Sequence, residues 1–76
     1  MREVALTYRR VDRELKAQGA SPPEHHHGAY EAAMAAYLRL DPDAPTDRLE
    51  ASGIVSNMIA TAIRANTDWF WHGPDA

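Results

Sequence analysis

The sequence predicts an all-α fold: three helices in a single domain over residues 1–76. Three observations carry that expectation. Apolar residues return every three or four positions in three separate stretches. Two clusters of Gly, Pro, Ser and Asp, at residues 19–23 and 41–46, separate those stretches. Alanine, the strongest helix former, supplies 14 of the residues.

The first helix is expected over residues 3–18. Val4, Tyr8, Val11 and Leu15 step by four, three and four, which puts them on one narrow seam. Gly19 is a natural stop, because a helix commonly closes through a residue of positive φ. Leu6 falls on the opposite side.

The second helix is expected over residues 22–40. Ser21, Pro22, Pro23 and Glu24 read as a capping box with proline in the first turn. Tyr30, Ala33, Met34, Tyr37 and Leu38 then recur at helical spacing, and Ala29, Ala36 and Leu40 widen the apolar arc. Gly28 weakens the early turns. The alternative is a regular helix only from Ala29, with His25, His26 and His27 in a frayed lead-in.

The third helix is expected over residues 47–66, capped by Asp47 or Thr46 and closed at Asn66. Ala51, Ile54, Val55, Met58, Ile59, Ala62 and Ile63 hold the helical period throughout. An aromatic tail, residues 67–76, brings Trp69, Phe70 and Trp71 in succession. A continued helix would set Trp69 on the Ile54 stripe. The alternatives for the tail are packing back over the end of the core or anchoring another chain.

Broad apolar faces on so short a chain point to self-association. A domain of this size buries a small share of its surface, and much of its apolar content is alanine, which buries little area. The expected assembly is a helical-bundle homo-oligomer, a dimer or larger. Its core would draw on Ile54, Val55, Met58, Ile59 and Ile63 together with Tyr30, Met34, Tyr37 and Leu38.

Composition excludes several classes of function. Without cysteine there are no disulfides and no thiolate metal sites. A net charge of −3 argues against general nucleic-acid binding, although residues 1–20 carry a local excess of basic groups. The sequence holds no apolar run of the roughly 20 residues that cross a bilayer. Its start does not read as a secretion signal, so a cytoplasmic location is expected. Gly-rich phosphate loops and nucleophile motifs are absent, and the reading leans away from an enzyme.

Three features have chemistry to offer. Glu24, His27 and Glu31, spaced three and four apart, would share a helix face and resemble half of the carboxylate and Glu-x-x-His set that holds metals in helical bundles. No other cofactor is implied. The plain alternative is a polar first turn, and the involvement of His25 and His26 stays open. His26 and His27 at an interface would also respond to pH near 6.5. Arg2, Arg9, Arg13 and Lys16 lie on one stripe of the first helix, with Arg10 nearby, either as a solvated face or as a contact for an acidic partner. Trp71, pointing outward if the third helix continues, is a further candidate partner contact. The expected function is a protein-interaction module, in which these groups or the apolar faces meet a partner. The alternatives are an oligomer that binds a metal or a small apolar ligand in an inter-helix cleft and, less favoured, a nucleic-acid accessory.

Overall fold

The structure, a computed structural model, describes residues 2–74 and is all-α among them. Four helices follow in order: α1 (Arg2–Ala17), α2 (Pro22–Leu40), α3 (Arg48–Ala65) and a short α4 (Thr67–His72). The fourth helix corrects the three-helix expectation. Asn66 does end α3, but its side-chain oxygen also accepts from the Trp69 N–H and so starts a new helix in a new direction. Trp69 therefore does not extend the α3 stripe as a continuation of one helix.

Each junction is made by local chemistry. Gly19, at φ +87°, closes α1. Its N–H bonds the Lys16 carbonyl and the Ala20 N–H bonds that of Leu15, the paired bonds of a Schellman ending. At the start of α2 the Glu24 carboxylate takes the Ser21 N–H at 3.2 Å and the Ser21 hydroxyl at 2.6 Å. Between α2 and α3 the Asp41 carboxylate accepts from the Asp43 N–H, and Asp47 caps α3 by accepting from the Leu49 N–H.

The α1–α2 hairpin is the most extensive contact in the molecule. Ala29, Ala33 and Ala36 give α2 a smooth face that lets α1 approach closely. At Gly28 an added Cβ would stand 2.5 Å from a Leu15 methyl, so the missing side chain makes room for the close approach. This removes the alternative of a frayed lead-in. α2 is helical from Pro22, and His25, His26 and His27 lie inside it.

The core gathers Val4 and Tyr8 of α1, Met34 and Tyr37 of α2, Val55 and Ile59 of α3, and Phe70 of α4. Met34, Tyr37, Val55 and Ile59 are thus enclosed by their own chain, which removes them from the expected intermolecular core. Phe70, 1% exposed, is what closes the end of the bundle. Tyr30 is half-buried and joins α2 to α3, donating to the Ser52 carbonyl at 2.7 Å and lying 3.2 Å from the Ser56 hydroxyl. Leu38, placed in the core by its period, is instead exposed, with Leu40 and Leu49. It lies in the last turn of α2.

No helix is long and apolar enough to cross a membrane among the described residues.

Candidate functional site

The α1–α2 contact carries a polar cluster inside an otherwise apolar interface. Asp12 and His25 are both buried, and His25 Nδ1 donates to Asp12 Oδ1 at 2.5 Å. His26 Nδ1 stands 3.5 Å from the same oxygen. The two imidazole rings lie 4.5 Å apart, centroid to centroid. The Tyr8 hydroxyl completes the group, hydrogen-bonded to His26 Nδ1 at 3.0 Å. Burial, and then the Asp12 charge, raise the Tyr8 phenol above its ordinary value, so it stays a neutral donor. The ligand atoms of Asp12, His25 and His26 all lie within 4.8 Å of one another.

This is not the metal-ligating set expected from spacing. Glu24 is taken up by Ser21, which holds its carboxyl below the usual range through hydroxyl and backbone hydrogen bonds. Glu31 makes a two-toothed ion pair with Arg48, both contacts at 2.8 Å. His27 is exposed on the outer face. Helical spacing put these three on one face, but that face is turned away from α1. Asp12 was missed because its partners lie on another helix. Its one local signal is its place four residues after Tyr8, beside the apolar seam, where a carboxylate needs a buried partner.

The basic stripe is divided among three tasks. Arg9 is buried, and its guanidinium donates to the carbonyls of Phe70 at 3.0 Å, Trp69 at 3.2 Å, Gly73 at 2.7 Å and Pro74 at 3.1 Å. Its Cζ also lies 4.0 Å from the centroid of the Trp69 ring. Arg13 donates to the Gly73 carbonyl as well. Both cations thus sit where the carbonyl end of α4 concentrates negative potential. Arg9 is an internal clamp and cannot serve as the surface contact expected of it. Lys16 and Trp71 meet Arg13 around a shallow hollow of about 540 Å³. Arg2 stands at the rim of a second, apolar groove.

That groove, about 610 Å³, runs between α1, α3 and α4. Ile54, Met58, Ala62 and Ala65 form its α3 wall, opposed by Leu6 of α1 and Trp69 of α4. Asn57 and Thr61 lie along it as uncharged polar groups. Of the residues expected at an oligomer interface, Ile54, Met58 and Trp69 line the groove, and Ile63 is half-buried against the core.

No family model, curated protein or solved structure matches the chain.

Proposed function

We propose that the chain is a helical assembly module that pairs with a second copy of itself through the α3 wall of the apolar groove. The observation that carries this reading is the order of side chains along that wall. Ile54 and Met58 are bulky, and Ala62 and Ala65 are small; the four share one stripe at steps of four, four and three. A twofold interface sets each residue away from its axis against a different residue of the copy. With the axis between Met58 and Thr61, the bulky half of one α3 meets the small half of the other in antiparallel order. The stripe spans roughly 17 Å at 1.5 Å per residue, enough for three turns of interlocking side chains.

Charge supports the same occupant. A residue near a twofold axis meets its own copy, so any charge there is repelled. From Ile54 to Ile63 the helix carries none. Asn57 and Thr61 bring donors and acceptors that a copy can satisfy. The groove holds no acid–base pair or nucleophile beyond these polar groups, which favours an interaction role over catalysis.

Sedimentation equilibrium tests the reading on the native sequence and on Thr61→Glu. Thr61 is exposed on the single chain, so the variant leaves the fold intact by circular dichroism. In the pair it places a carboxylate against the copy's groove. The expected result is two chain masses for the native protein and one for the variant. A native protein of one chain mass overturns self-pairing, and one that takes up an apolar amphipathic peptide makes the groove a seat for a different protein. A variant still at two masses places the interface elsewhere.

A further inference from the structure

We propose that Asp12, His25 and His26 bind a single divalent transition-metal ion of the zinc class between α1 and α2. The site is separate from the α3 groove and stands whether or not the chain pairs.

Two imidazoles and a carboxylate are an established donor set for zinc and its neighbours. Adjacent helical residues project roughly 100° apart, so consecutive histidines ordinarily serve different surroundings. Here both Nδ1 atoms converge on one oxygen, at 2.5 Å and 3.5 Å. A tetrahedral ion with bonds of about 2.0–2.1 Å keeps its donors roughly 3.3–3.4 Å apart. The His26–Asp12 separation already fits. The His25–Asp12 pair must open by somewhat under an ångström (roughly, on the same bond lengths), as an ion replaces the proton the two now share.

The protonation states favour that exchange. In the tautomer that accepts from Tyr8, His26 Nδ1 presents a lone pair. His25 carries its proton on Nδ1, toward Asp12, and binds the ion after that proton moves to Nε2 or leaves to solvent. Tyr8, once released by His26, is placed to donate to a water on the ion. Asp12 and His25 close the inner side, with side chains 4% and 5% exposed, while the His26 side chain, 50% exposed, opens the site to solvent. An ion therefore has an entry path and room for a water ligand, and it offsets the burial of the Asp12 charge more fully than a shared proton does.

Calorimetric titration of the chelator-stripped full chain with zinc chloride tests this, beside thermal melts. The expected result is one ion per chain and a melting temperature that rises with zinc. Losing an outer-shell partner of a metal alone costs about 10–100-fold in affinity, so His26→Ala should weaken binding by roughly tenfold or more, and Asp12→Asn likewise. His26 is half-exposed, so its variant stays folded and decides the matter even if Asp12→Asn unfolds. His27→Ala should bind as the native protein does. The proposal is overturned by no saturable binding, by half an ion per chain, or by His27→Ala losing as much affinity as His26→Ala, which marks adventitious capture by a histidine run.

Discussion

Along the α1–α2 contact the chain is closed. Val4, Tyr8, Ala29, Ala33 and Tyr37 are buried, and the polar groups among them, Asp12 and His25, bond each other. Along the α1–α3 contact it is open: Ile54, Met58 and Ala62 stay half-buried beside Leu6 around the groove. The same first helix serves both contacts, so the difference lies in its neighbours. α2 presents alanines and Gly28, which let the backbones come close. α3 presents Ile54 and Met58 beside Ala62 and Ala65, and these four line the open groove. A small-residue face makes a tight intramolecular pair, and a face of mixed sizes leaves an apolar groove open.

Phe70 gives the largest expected way to break this contrast. It is the chief contribution of α4 to the closed core and stacks near Tyr8, with ring centroids 6.3 Å apart. Phe70→Ala should cost about 3–5 kcal/mol through lost burial and an unfilled cavity. In a chain of this size that is a large part of the total. Denaturant unfolding checks it, and a loss under about 1 kcal/mol would mean that the end of the bundle collapses to fill the gap.

Arg9→Ala comes next. It removes the donor shared by four carbonyls at the end of α4, of which the bond to Phe70 is buried. The expected loss is about 2–3 kcal/mol, chiefly from the buried Phe70 carbonyl left without this donor and from the lost contact with Trp69. Near-ultraviolet circular dichroism from the tryptophans should weaken along with stability. An unchanged tryptophan signal would show that Phe70 alone holds α4 in place.

The smallest effect is set by pH. Tyr37 is buried, and burial, then its bond to Asp41 and the charges of Asp41 and Glu50, raise its phenol above the ordinary value. A folded-state pKa above the unfolded one means stability that is full below about pH 10 and lost as the pH climbs through the folded value. The closed core should therefore loosen in strong alkali, and Tyr37→Phe should remove part of that fall. Denaturation midpoints measured at neutral and alkaline pH would show it; equal alkaline losses in both proteins would assign the effect to other groups.

Local chemistry was legible along the chain. The ends of α1, α2 and α3 fall within a residue of where Gly19, Ser21, Asp47 and Asn66 put them, because a cap or a helical stop is decided by atoms within one turn. The buried stripe of α3 followed its period for the same reason. The site was less legible. Glu24, His27 and Glu31 share a helix face by spacing, yet each looks outward, and the groups that do meet are Asp12 with His25, 13 residues apart, and Arg9 with Phe70, 61 apart.

Sequence alone therefore determined that the chain is helical, where its long helices begin and end, and which broad arc of each is apolar. Tertiary structure decided how far each helix is rotated within that arc. A single helical step turns a side chain by roughly 100°, so His25 and His27, two steps apart, face nearly opposite ways; the rotation of α2 on α1 buries the first and exposes the second, and the seating of α4 on Arg9 turns a surface cation into an internal one. Local spacing carries no record of either rotation. They follow from how alanine, Gly28 and Phe70 fill the space between elements far apart in the chain.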